Sequence, residues 1–272
     1  MKNIFYLITA ISLLCLASCM EVDNWDAPDA AIVGTITDIY TGKPIVQDQN
    51  EWQIRIWETS WEREGGVLAD VQTLATKNDG TYSNNKLFAG TYMMLPYDGP
   101  FFPLDTIRGV VLKSGKTTTV DFTVRPMLQI IDFETEMTTM KYNNVEWPAL
   151  IMRCKLKAPI RDSTEVDGKK IALPNLYDLR PFVSRLKNFC GNANYLNLAE
   201  YRDNVRIQIR RSWKAEMEAR FGITTDTEVS GVYQTDPMPL KSGWTYYVRI
   251  GCNVDYLSRR YAYSPIVEIV VP

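Results

Sequence analysis

The chain has 272 residues with 30 basic and 32 acidic side chains, 46% hydrophobic and 11% aromatic content, and no histidine. That composition is an ordinary folded core of up to two domains rather than a disordered chain, and the charge balance supplies no concentrated basic face for nucleic acid. Without histidine, Ser-His-Asp and Cys-His nucleophiles, HExxH zinc chemistry and histidine proton shuttles are all excluded.

The N-terminus opens Met1-Lys2-Asn3 and runs apolar from Ile4 to Leu16, interrupted by Thr9 and Ser12. This is shorter than the roughly 20 residues that a spanning helix needs, and it reads as a secretion signal over residues 1–18. Ala17 and Ser18 then precede Cys19, with Leu16 three positions before it. The arrangement resembles the bacterial lipobox, which implies a thioether-linked diacylglycerol on Cys19 and removal of the signal that precedes it. Loss of Lys2 with the leader lowers the formal net charge of −2 by one. Residues 19–29 form an acidic tether. Position 20 is Met, not the Asp of an inner-membrane retention signal. Glu21 to Asp26 resembles the acidic tag of Bacteroidetes lipoproteins carried to the outer face of the outer membrane, with a periplasm-facing anchor as the alternative. Cys154, Cys190 and Cys252 remain downstream, so among them at most one disulfide is possible.

From Ala30 to Pro126 short strands are predicted in AAIVGTITD, QIRIWETSW, VLADVQTLATK, GTYMMLP, IRGVVLKSG and TTTVDFTVRP. Turns fall at Thr41–Pro44, Asn78–Gly80, Asp98–Pro100 and Ser114–Lys116. Frequent turns between alternating strands predict an antiparallel sandwich. Val33-Gly34-Thr35-Ile36-Thr37-Asp38, Thr41-Gly42-Lys43-Pro44-Ile45, Asn78-Asp79-Gly80-Thr81-Tyr82, Leu87-Phe88-Ala89-Gly90-Thr91-Tyr92 and the closing Thr117 to Val124 resemble carboxypeptidase-regulatory-like, or transthyretin-like, domains. That resemblance implies a spacer or stabilising module without catalysis of its own.

Residues 127–272 carry further strand patterns in MLQIIDFETEM, PALIMRCKLK, NYLNLAEY, NVRIQIRRSW, TYYVRIGCNV and SPIVEIVVP. Only KAEMEARF reads as a short helix. The fold class is therefore all-β, two tandem β-sandwiches, the second immunoglobulin-like. Over its whole length the chain resembles a family of two-domain lipoproteins from Bacteroidetes polysaccharide-utilisation loci, through the Cys19 lipobox, GTITDIYTGKPI, the Tyr97–Pro103 segment and SPIVEIVVP. The resemblance implies an accessory glycan-binding protein at the cell surface, beside an outer-membrane transporter and its companion lipoprotein. Fold alone does not establish this. The alternative is a structural or adhesive module that binds a partner protein, with no direct glycan contact.

Sugars stack apolar faces on aromatic rings and need polar partners for their hydroxyls. Three segments fit. In EWQIRIWETSW, alternation places Trp52, Ile54 and Ile56 on one face and Arg55, Trp57, Thr59 and Trp61 on the other. Trp57 and Trp61 are the candidate solvent-side rings, unless they pack under a loop or against the second domain. Tyr97, Asp98 and Phe101 lie in a loop stiffened by Gly99, Pro100 and Pro103, alternatively a plug on the first sandwich or part of a domain interface. Tyr256, Arg259 and Tyr261 belong to a hairpin that is equally an ordinary sandwich edge. Two readings are weaker. Asp132, Glu134 and Glu136 share a strand face that could hold calcium, although a solvated face is the simpler reading. Ser184 to Lys187 matches SxxK without its usual companion motifs. Catalytic residues, metal and cofactor are all expected to be absent.

Overall fold

A computed structural model describes residues 27–60, 70–166, 168–197 and 205–272. The signal segment, Cys19, most of the tether and Trp61 lie outside the described residues. So does the second half of the NYLNLAEY segment.

The first half contains β1 (Ala30–Asp38), β2 (Gln53–Glu58), β3 (Gln72–Ala75), β4 (Thr81–Leu87), β5 (Gly90–Tyr97), β6 (Ile107–Leu112), β7 (Thr117–Thr119) and β8 (Phe122–Val124). One sheet has the order β4-β1-β7, with β8 also pairing on β1, and the facing sheet runs β3-β2-β5-β6. Every second residue of β1 is buried from Ala30 to Asp38, as a strand with one face on a core requires. Ile32, Ile36, Trp52, Ile54, Ile56, Tyr82, Met94 and Phe122 fill the space between these sheets. Gly34 is obligatory at this packing distance, because a Cβ there would strike the Val120 carbonyl oxygen and the Tyr82 ring. The segment β4 was not anticipated as a strand.

The second half begins with a long hairpin of β9 (Gln129–Tyr142) and β10 (Val145–Lys157). Asn143 and Asn144 join them, both at positive φ (51° and 64°), the backbone that a tight two-residue hairpin turn demands. There follow the ribbon β11 (Ser163–Val166) and β12 (Lys169–Ala172), then β13 (Leu176–Ser184), β14 (Ile207–Arg211), β15 (Tyr233–Gln234), β16 (Met238–Pro239), β17 (Thr245–Val254), β18 (Tyr261–Tyr263) and β19 (Val267–Val270). The hairpin sheet adds β15 and β16 along β10, and the opposing sheet runs β14-β13-β17-β18 with β19 beside β17. Met152, Cys154, Leu179, Val183, Tyr233, Val248, Ile250 and Cys252 form its core. The single helix of the described residues, α1 (Trp213–Phe221), is capped by the Ser212 side chain and closed by Gly222 in the left-handed conformation.

The architecture is thus all-β with two successive sandwich cores. Cys154, Cys190 and Cys252 are all buried free thiols, so the disulfide left open by the sequence is not formed.

Candidate functional site

The outer face of the β3-β2-β5-β6 sheet is apolar along its centre. Residues directly opposite in an antiparallel pair share a face. Trp57 stands opposite Met93, Arg55 opposite Leu95 and Gln53 opposite Tyr97. All of these but Gln53 are half-buried, whereas Ile54, Ile56 and Met94 on the other face are sealed in the core. Polar groups lie over this strip: the Arg55 guanidinium sits 3.4 Å above the Tyr97 ring centroid, and Arg108 Nη1 approaches Met93 Sδ at 2.8 Å.

At its Tyr97 end the strip opens into a pocket of about 150 Å³ whose walls come from both halves of the chain, including Leu95, Tyr97, Asp98 and Leu104 from the first and Tyr256 and Leu257 from the second. Asp98 adopts φ 61°, a conformation that Asp tolerates better than most residues. Its Oδ1 accepts the Ser258 N–H at 3.0 Å. Its Oδ2 accepts Arg260 Nε at 3.0 Å and Nη2 at 2.9 Å. The Tyr256 hydroxyl is held above its usual pKa, first by burial and then by the neighbouring Tyr97 and Asp98, and remains a donor at neutral pH.

Phe101 also lines this pocket, although it is 3% exposed and packs edge-on against Trp52 with centroids 5.0 Å apart, inside the first core. The remaining candidates separate from the pocket. Tyr261 is 4% exposed and donates its hydroxyl to Asp178 Oδ1 at 2.8 Å. Neither Phe101 nor Tyr261 presents a ring face to solvent, because each closes a gap between packed elements. Arg259 is exposed, but its Nε donates to Asp255 at 2.8 Å and its guanidinium lies 4.0 Å from the Tyr177 ring centroid. It therefore turns to Tyr177 rather than to Tyr97.

Two weaker readings also find their places. The acidic row on β9 is matched by cations on β10, with Lys155 Nζ 2.9 Å from Asp132 and Arg153 paired with Glu136. Among the described residues no group of three His, Cys, Asp or Glu side chains is arranged to hold a metal. Ser184 Oγ accepts the Leu186 N–H at 3.1 Å and so caps a turn.

A buried polar network between the halves escaped sequence reading. Asp48 is fully buried; its Oδ2 accepts the Ala193 N–H at 2.9 Å, both oxygens meet Asn194 Nδ2 at 3.2 Å, and Arg249 Nη2 lies 3.9 Å from Oδ1. Arg249, 1% exposed, donates to the Gln47 carbonyl at 2.9 Å and stacks 3.7 Å from the Tyr263 centroid. Glu51 Oε1 accepts the Tyr261 N–H at 3.3 Å. Burial raises the Glu51 pKa, only partly offset by hydrogen bonds from Tyr263 and Tyr261. Arg249 had a visible signal: it stands between Val248 and Ile250 in an otherwise apolar strand, and a buried cation demands a partner.

Residues 30–125 match the model of the DUF3823 N-terminal domain, described as a protein of unknown function. Solved structures of similar fold include a candidate carbohydrate binding protein from Bacteroides uniformis, 24% identical, with 90% of this chain and all of that one covered and a TM-score of 0.62. A DUF3823 family protein from the same species is 21% identical with a TM-score of 0.60, and another from Parabacteroides merdae is 18% identical with a TM-score of 0.56. Each is covered in full by 90% of this chain. These likenesses establish the fold. No curated protein matches the chain.

Proposed function

We propose that this is a non-catalytic surface protein, anchored in the outer membrane through a lipid on Cys19, that captures glycan chains for uptake. The Trp57–Tyr97 strip and the adjoining Tyr97–Tyr256 pocket are its binding face. The carrying observation is that Trp57 and Tyr97 share one face of the sheet, with Arg55 over the Tyr97 ring, and that Tyr97 and Tyr256 line one pocket at its end. Apolar surface for a sugar face with a few fixed polar groups is the chemistry that carbohydrate recognition needs. The name of the Bacteroides uniformis neighbour supports the same reading. A transporter and a companion lipoprotein are the partners that such a role requires.

The test is a polysaccharide panel against the purified protein, followed by Trp57→Ala and Tyr97→Ala. Each substitution should weaken binding to any retained glycan by roughly tenfold, equivalent to about 1.4 kcal/mol. Silence across the panel, with a companion lipoprotein recovered by pull-down, would favour the protein-interaction module instead. Cys19→Ala should move the protein from the membrane to the soluble fraction, and continued membrane association would refute the anchor.

A further inference from the structure

At the other end of β17 a second aromatic group stands on the surface, and it differs in chemistry from the first. Trp244 is 38% exposed. The Arg185 guanidinium lies 3.8 Å from its ring centroid and Lys241 Nζ lies 4.5 Å from it. Tyr246, two residues on and therefore on the same side of the strand, stacks beneath with centroids 6.3 Å apart. Arg185 and Lys241 are both exposed, and neither has a carboxylate partner among the described residues. Glu268 on the neighbouring strand is engaged by the Tyr247 hydroxyl, on the opposite side from Tyr246.

Arg185 and Lys241 are like charges attending one ring, and no carboxylate among the described residues neutralises either. An anion within reach of both supplies the missing counter-charge. The frame is rigid: the Lys241 N–H donates to Tyr246 Oη at 3.1 Å, the Gly243 N–H to the Val271 carbonyl at 3.0 Å, and the Val271 N–H to the Trp244 carbonyl at 3.0 Å. Ser184, immediately before Arg185, is paired in register with Tyr247. The backbone that carries Lys241 and Trp244 is therefore fixed before a ligand settles, and only the exposed Arg185 and Lys241 side chains order on it.

We propose that Arg185, Lys241 and Trp244 form a second glycan subsite that takes the anionic group of an acidic polysaccharide, a uronate carboxylate or a sulfate ester. This rests on the glycan-capture reading and narrows its ligand class. The occupant follows from charge complementarity: two cations, neither with a carboxylate partner among the described residues, attend the one Trp244 ring, whereas the Tyr97 ring of the first face is attended by Arg55 alone. Arg185 offers a planar fork that pairs bidentately with carboxylate or sulfate, and Lys241 adds a point charge.

Polygalacturonate, dextran sulfate and neutral dextran are titrated onto the purified protein at low and at high salt. Small vesicles containing phosphatidylglycerol serve as an alternative anionic surface. The expected result is salt-sensitive binding of polygalacturonate or dextran sulfate, reduced roughly tenfold by the double substitution Arg185→Gln with Lys241→Gln. Preference between the two probes tells carboxylate from sulfate. Equal binding of both acidic probes by the wild type and the double variant overturns the proposal, as does no binding of either. Vesicle binding lost in the double variant without acidic-glycan binding assigns the site to a membrane surface and overturns it as well. Trp57→Ala separates the two readings. If acidic binding depends on Arg185 while no glycan depends on Trp57, the first face fails and this subsite stands. The reverse pattern sinks the subsite alone.

Discussion

Asp48→Ala tests the buried network where the two halves meet. The substitution removes the acceptor of the Ala193 N–H and the Asn194 amide, and leaves Arg249, 1% exposed, without its carboxylate. Charges 3.9 Å apart attract by about 4 kcal/mol at an effective dielectric near 20. Removing one member of a buried pair destabilises by about 3–5 kcal/mol, because the remaining charge stays desolvated. Against a total stability of about 5–15 kcal/mol this is a large fraction. Urea unfolding followed by tryptophan fluorescence should show a correspondingly lower midpoint. Arg249→Met should restore part of the loss when combined with Asp48→Ala, since it removes the guanidinium that Asp48→Ala strands; the recovery is partial because buried Glu51 also loses the cation it interacts with. The reasoning fails if Asp48→Ala destabilises by less than about 1 kcal/mol, or if the double variant loses the sum of the two single losses.

Glu51 gives a pH signature: its folded pKa lies above its unfolded value, so the unfolded chain ionises first and stability falls as pH rises from about 4.3 through the raised folded value. Glu51→Gln should flatten that fall and be more stable than wild type at neutral pH, and parallel pH profiles for the two proteins would contradict the assignment. The buried thiols of Cys154 and Cys190 are both pushed up to about 12 by desolvation; both should resist an aromatic disulfide reagent at pH 8 in the native protein and react once it is unfolded in urea. Asp98→Ala should weaken glycan binding and lower stability by about 1–2 kcal/mol, discounted for partial exposure of Arg260. Asp98→Asn, which keeps an acceptor for Ser258 and tolerates the positive φ, should lose less.

Strands with one face on a core were readable because burial imposes a two-residue period. AAIVGTITD coincides with β1, and KAEMEARF lies within α1. The β4 segment TYSNNKL has two polar asparagines and a lysine at its centre, so its period is faint. The sequence pattern divides the long hairpin into the shorter pieces MLQIIDFETEM and PALIMRCKLK, with Asn143-Asn144 at the turn between them. For the site, alternation correctly separated Trp57 from Trp52 and Ile54, since it depends only on the strand itself. It could not show that Tyr256 comes to Tyr97, nor that Phe101 and Tyr261 are covered, because covering depends on chain distant in sequence. Asp48 and Glu51 looked like ordinary loop charges for the same reason, and Trp244 went unremarked because its cations are supplied partly by Arg185, 59 positions earlier.

The contacts between the halves bear directly on recognition. They are spread along the boundary: Asn78 Nδ2 donates to the Asn188 carbonyl at 3.1 Å, Asp48 receives the 193–194 segment, Glu51 receives Tyr261, and Asp98 receives Ser258 and Arg260. Apolar contacts alone tolerate sliding, whereas these bonds are directional and fail if either side shifts by an ångström or two. One wall of the Tyr97 pocket belongs to each half, so its width is set by those bonds and not by a single sheet. A pocket held open in this way takes up a ligand without first ordering two bodies. In this protein the buried polar junction and the proposed binding face are therefore one construction, with Asp98 belonging to both.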